Sequence, residues 1–348
     1  MNKDELINYI EQSFLKDLLV MENVTDISYN GTNIYYVSNI SGRQKYPYFI
    51  SANIIKDFLR QLANITEKQF SYLNPILDVN VGRYRINAVN QTIGRIGLDE
   101  CHTFSIRVAS RKRKINHDEE FMNEKLENLF DVLIANHISI VISGVTGVGK
   151  TEFQKYLVSR MEENERILVI DNTIELAFLD DSNRLDITLW QADERNIESS
   201  ISNLIKNGLR NNPDWMIISE ARGKEMSDVL NSAMTGIPII TTIHSLDAKS
   251  GPGRMARMVM NGEERINYED IVSNINYHFR FFVHLKKYID KSSIVHRYIS
   301  SIVQFDDNGT YYEIYHDNLK EKKYQKLSKD FINLLHLDEE KNMIKEFI

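Results

Sequence analysis

With 348 residues, 42% hydrophobic and 26% charged, the chain is long enough for one large domain or two ordinary ones, and its 5 Pro and 15 Gly exclude disordered, collagen-like and mucin-like classes. The 49 acidic residues exceed the 42 basic ones, giving a net charge of −7, so no whole-chain field draws it to polyanions and a dedicated nucleic-acid binder is not expected. One cysteine, Cys101, cannot close an internal disulfide, which reads most simply as a reduced, cytoplasmic protein with a structural thiol.

Met1 to Val20 carries Lys3, Asp4, Glu5, Glu11, Lys16 and Asp17, so it has no secretory character, and no stretch reaches the 18 apolar residues of a membrane span. Leu6, Ile10 and Phe14 stand four apart, with Ile7 and Leu18 near the same stripe, and predict an amphipathic helix. Ile34 to Val37 after Asn30-Gly31, and Val79 to Val89 with apolar residues at alternate places, predict antiparallel strands joined by turns; Asn53 to Ile65 between them has helical spacing. Residues 1–112 therefore read as a small α+β domain, and 113–120 as a linker. The basic run Arg111 to Lys114 is either a solvated connector or a patch facing phosphate or another polyanion.

From Phe121 onward helices alternate with the β-branched runs Ile138–Ser143, Ile167–Ile170, Trp215–Ser219 and Ile239–Ile243. That alternation predicts a second α/β domain, 121–348, with a mostly parallel sheet and flanking helices. Gly144-Val145-Thr146-Gly147-Val148-Gly149-Lys150-Thr151 fits G-x-x-x-x-G-K-[ST] between a strand and a helix. Its glycines let successive N–H groups curl toward phosphate oxygens, and the helix that follows aims its N-terminus at the same charge. Lys150 is expected to reach the β and γ phosphates and Thr151 to hold Mg²⁺, with Glu152 beside them in the nucleotide-binding set.

A phosphate cradle alone does not hydrolyse anything, so a carboxylate that activates water is expected on a neighbouring strand. Glu220 directly follows Trp215–Ser219 and so reaches the carboxyl edge of the sheet, where ligands bind; it could instead cap the next helix. Asp171, Asn172 and Glu175 follow the strand 167–170 and can approach Mg²⁺ or its waters, or can serve a turn. His244 ends the strand 239–243 and is a candidate γ-phosphate or interface sensor, against a purely structural role.

These residues resemble the secretion-superfamily ATPases: the traffic ATPases of type IV secretion and conjugation, those of tight-adherence pilus assembly and, more distantly, of pilus retraction. The most specific stretch is Leu209 to Arg222, similar to the family's L-R-x-x-P-D-x-h-h-h-x-E-x-R segment. The resemblance implies a RecA-like catalytic domain and a Walker B role for Glu220. It implies metal or water positioning mainly by Glu175 in the segment Asp171–Glu175, and a "His box" role for Thr242-Ile243-His244. Gly82–Val89 and Phe104–Arg107 look like the segments that precede the catalytic domain in the conjugation and tight-adherence branches, which makes Arg85, Arg107 and Arg210 candidates for phosphate contact within or between subunits. Asp171-Asn172 stands where the family commonly has Glu-Asp, and Ile237 where a His often follows the Thr-Gly pair; the absence of a cysteine tetrad argues against the zinc-bearing branch.

The resemblance further implies an ATP- and Mg²⁺-dependent motor forming a hexameric ring, with nucleotide between the two domains. Such a ring works on membrane-embedded secretion or pilus platform proteins from the cytoplasmic face. The alternatives are a RecA-like nucleic-acid-dependent ATPase and a nucleotide-gated assembly scaffold.

Overall fold

The computed structural model describes residues 3–110, 114–115, 119–173, 175–178, 184–194, 196–261, 267–336 and 339–348. Arg111–Arg113 of the basic run, and Asn116, His117 and Asp118 of the expected linker, lie outside them. The chain divides into two compact bodies. One is Met1–Arg111 with Thr173–Glu175 and Ile289–Val295; the other is Lys112–Asn172, Leu176–Tyr288 and His296–Ile348.

In the first body the expected N-terminal helix is broken into α1 (Lys3–Glu11) and α2 (Lys16–Val20). The Ser13 hydroxyl donates to Ile10 O at 2.7 Å and accepts the Leu15 N–H at 3.2 Å, which diverts backbone groups from the helical ladder before Phe14. Leu6, Ile10, Leu15 and Leu18 are nevertheless all buried. After them come β1 (Val24–Tyr29), β2 (Ile34–Ser38), β3 (Gly42–Lys45), α3 (Ala52–Ile65), β4 (Ile76–Val81), β5 (Tyr84–Val89), the short pair β6 (Arg95–Ile96) and β7 (Asp99–Glu100), and β8 (Thr103–Val108). Ser51 caps α3 by accepting the Ile54 N–H, and the helix buries Ile55, Phe58, Leu59 and Leu62. The antiparallel sheet runs β3-β2-β1-β8-β5-β4, and the alternating burial of β4 and β5 follows from one covered face.

The second body holds α4 (Glu124–Ala135), β9 (Ile140–Ser143), α5 (Lys150–Val158), β10 (Arg166–Asp171), β11 (Asp186–Gln191), α6 (Ile201–Gly208), β12 (Trp215–Ile218), α7 (Met226–Met234) and β13 (Ile239–Ile243). It continues with α8 (Gly251–Met260), α9 (Tyr268–His278), β14 (Phe281–Ile289), β15 (Val295–Phe305), β16 (Tyr311–Asp317), β17 (Lys322–Tyr324) and α10 (Lys329–Leu334). The nine strands run β11-β10-β12-β13-β9-β14-β15-β16-β17. From β11 to β14 every neighbouring pair is parallel; β15, β16 and β17 pair antiparallel and extend the sheet beyond the parallel array expected from the β-branched runs.

Both faces of the parallel part are covered, and the period of two along each strand divides its side chains between them. Ile140, Ile142, Trp215 and Ile217 pack with Phe130 of α4 and Phe153 and Leu157 of α5. Val141, Met216 and Ile218 pack with Ile205, Val229, Met255 and Ile275 on the opposite side. Strands β9, β12 and β13 are buried along their whole length, so polar chemistry that meets solvent collects at their carboxyl ends.

Candidate functional site

The loop 144–149 leaves the carboxyl end of β9, between β13 and β14, and α5 starts at Lys150. Gly144 has φ +143°, and a Cβ there would come within 2.6 Å of Leu285 O and 2.9 Å of the Val148 side chain. Gly149, at φ +98°, precedes the first residue of α5 in the left-handed region that a side chain resists. The backbone is therefore curled and close-packed where the motif places its first and last glycines. Val148 is buried and anchors the loop, while Val145, Thr146 and Gly147 are exposed and Lys150, Thr151 and Glu152 are half-buried. Lys150 Nζ donates to Gly144 O at 2.9 Å and to Val145 O at 3.4 Å.

Glu220 follows β12 at the same sheet edge. Its Oε2 accepts from Arg222 at 2.6 Å. Its Oε1 is buried, has His244 Nε2 at 2.8 Å, and takes no hydrogen bond of good geometry among the described residues. Burial pushes the Glu220 carboxyl up, but the hydrogen bond and charge of Arg222, with the charges of His244 and Lys150, outweigh it and hold the group below the usual carboxylate value. Glu225 stands at the N-cap position of α7 without a side-chain cap hydrogen bond, and its Oε1 accepts the N–H groups of Arg222 and Gly223 in the turn before the helix, at 2.5 and 2.9 Å. Burial, with Lys150 adding to it, pushes the His244 imidazole below its ordinary value, against the opposing pull of Glu220 and of the neighbouring Gly144 backbone. Lys150, Glu220 and His244 thus converge on one loop.

The other predicted residues are placed as follows. Asp171 ends β10 fully buried, and its Oδ2 accepts the Leu176 N–H at 2.9 Å, the turn chemistry weighed for it; Asn172 is half-buried beside it. Glu175 belongs to the first body, where its Oε1 lies 3.5 Å from Arg107, and Arg107 lies 3.5 Å from Asp26. Arg85 faces Arg107 across the β5/β8 register, and Asp26 faces Arg107 across β1/β8, so two guanidinium groups and one carboxylate share one row. Arg210 is exposed on the turn Leu209–Asn211 that leads toward β12. Glu152 accepts the Lys114 N–H at 2.8 Å and the fully buried Lys155 ammonium at 2.9 Å.

The donors suit Mg²⁺. Thr151 offers a hydroxyl on the first turn of α5, and Glu220 Oε1 has lone pairs to spare for a metal-bound water. Among the described residues no group of three or more His, Cys, Asp or Glu side chains is placed to hold a metal ion by itself.

Sequence reasoning missed three groups around the loop. His284 of β14 pairs in register with Ser143 of β9, is buried, and has Nδ1 2.9 Å from Ser143 Oγ. Lys287 and Arg297 contact the loop itself. They lie more than a hundred residues from it, and only the sheet order β9-β14-β15 brings them in, so no local spacing announces them.

His284 gives a pH prediction. Burial, aided by Lys286 and Lys150 and opposed by Asp247, lowers its imidazole to about 4 from 6.5. Between those values the unfolded chain binds a proton that the folded chain does not, so stability falls as pH drops from about 6.5 to about 4, by about 3 kcal/mol from this residue. Urea unfolding of wild type and His284→Asn across that window checks it. The difference between the two curves is expected to shrink toward acid, and parallel curves would refute it.

The sequence matches the type II/IV secretion system protein family over residues 84–277, more than half of the chain. It is 28% identical over 300 residues to an uncharacterised Bacillus anthracis protein, covering 82% of this chain and 66% of that one. It is 27% identical over 169 residues to the protein VirB11 of Rhizobium radiobacter, covering 46% of this chain and 48% of VirB11. The chain thus spans less than two thirds of the length of either relative. The Legionella pneumophila ATPase DotB has a similar fold, with a TM-score of 0.61 at 16% identity over 88% of this chain and 82% of DotB.

Proposed function

Because the chain belongs to the type II/IV secretion system protein family, we propose that it is an ATP-hydrolysing motor of a bacterial secretion, conjugation or pilus-assembly machine. The observation that carries this reading is the convergence of Lys150, Glu220 and His244 on the glycine loop at the carboxyl edge of the sheet.

Lys150 exchanges its loop carbonyls for the β and γ phosphate oxygens, and the N–H groups of the loop and of the first turn of α5 bind the same anion. Glu220, held ionised at neutral pH, accepts a hydrogen bond from the attacking water and orients it in line with the γ-phosphorus. The water oxygen bonds to phosphorus, the bond to the ADP oxygen breaks, and the water's proton leaves by way of the carboxylate. His244, with its imidazole held neutral at pH 7, donates a hydrogen bond without adding charge. Thr151 and, through water, Glu220 are the groups that would hold Mg²⁺, whose charge when bound would draw electron density from the phosphate oxygens. Arg85, Arg107, Glu175 and Arg210 are further candidates for phosphate and water contacts.

The working assembly in this reading is a hexameric ring on the cytoplasmic face of the membrane, engaging embedded platform proteins. No helix among the described residues is long and apolar enough to cross a membrane.

The test is phosphate release by the purified chain with Mg²⁺ and ATP, with and without single-stranded DNA, alongside its mass in solution. Expected are ATP hydrolysis, six-copy particles and no stimulation by DNA. Hydrolysis that appears only with DNA and declines steeply with salt would favour the nucleic-acid motor, against which the net charge of −7 argues. Tight ATP binding without phosphate release would favour the scaffold.

A further inference from the structure

Lys287, near the end of β14, donates from Nζ to Thr146 O at 3.1 Å. Arg297, on β15, donates from Nε to Gly147 O at 3.0 Å. With Lys150 on Gly144 O and Val145 O, four consecutive carbonyls of the phosphate loop are each held by a cationic side chain. A loop that turns its N–H groups toward an anion turns its carbonyls the other way, and these carbonyls lie outside any helix or strand that would supply donors. Burial pushes the Arg297 guanidinium down from its ordinary value while Glu152 opposes the shift, and it remains a cation.

We propose that Lys287 and Arg297 are positioning residues for the nucleotide's phosphates. They fix the carbonyl side of residues 146 and 147, so the amide side keeps its curl when Lys150 leaves Gly144 and Val145 for phosphate oxygens. Their charges also add to the positive potential of the cradle without touching the γ-phosphate or the attacking water. This inference rests on the nucleotide-binding reading above. It adds two residues from outside the sequence motif, on strands that follow it by more than a hundred residues.

The experiment compares wild type with Lys287→Met, Arg297→Leu, Lys287→Arg and Arg297→Lys, reading ADP affinity by calorimetry and KM and kcat for MgATP. Each neutral variant is expected to weaken ADP binding and raise KM about tenfold, with a much smaller effect on kcat. The charge-conserving variants should recover most of that loss, since both can still donate to a carbonyl. A folding defect would act in the opposite sense, lowering kcat through the active fraction and leaving KM alone; that pattern would overturn the proposal. Wild type that binds ADP with neutral variants that match it would overturn the brace while leaving the site reading intact. Wild type that binds neither nucleotide would remove the site reading and the brace with it.

Discussion

Glu220→Gln is expected to lower kcat for ATP hydrolysis by about a hundred- to ten-thousand-fold, the range over which a positioned general base acts, while ATP affinity stays near that of wild type. The substitution preserves size and an acceptor for Arg222, so the sheet edge keeps its packing. What it removes is the negative charge that Arg222, His244 and Lys150 stabilise, and with it the group able to take a water proton. The Arg222 partner is half exposed, so losing the ion pair costs at most about 1 kcal/mol of stability. Single-turnover phosphate release separates the effect from product release. Turnover close to wild type would remove Glu220 from the catalytic assignment.

Lys150→Ala is expected to weaken both ATP and ADP binding by about a hundredfold, as loss of a charged hydrogen-bond donor to phosphate implies. Two effects combine: the phosphates lose their ammonium partner, and the carbonyls of Gly144 and Val145 lose the donor they have in the structure. Calorimetric titration with each nucleotide checks the value. Equal affinity in the variant and in wild type would place the nucleotide elsewhere than on this loop.

How much of this was legible in the sequence depends on how local the signal is. The phosphate loop is legible because strand, turn and helix lie within one short segment, and its glycines mark backbone angles other residues resist. Glu220 and His244 are legible because each follows a short β-branched or apolar run, Trp215–Ser219 and Ile239–Ile243, and the end of a buried strand is where a polar residue meets solvent. The break at Ser13 was hidden, since a hydroxyl competing with the helix ladder leaves the apolar spacing of Leu6, Ile10 and Phe14 untouched. The strands β14 to β17 were overlooked because their charged and polar residues blur the alternation: β14 closes on Lys286-Lys287-Tyr288-Ile289, and β17 is Lys322-Lys323-Tyr324. The cationic brace and His284 were invisible for a different reason, because pairing partners remote in sequence have no periodicity to read.

The strand order sets the timing of synthesis against assembly. Strand β9, which carries the loop, is the first of its sheet to leave the ribosome, but its two neighbours are β13 and β14. Ser143 pairs with Ile243 on one side and with His284, 141 residues later, on the other. A nascent chain ending before β14 therefore holds a complete motif without the strand that supplies Leu285 behind Gly144 and Lys287 above Thr146. Because loop closure over so long a contour must precede that pairing, the glycine loop acquires its backing strand only as about the last fifth of the polypeptide emerges.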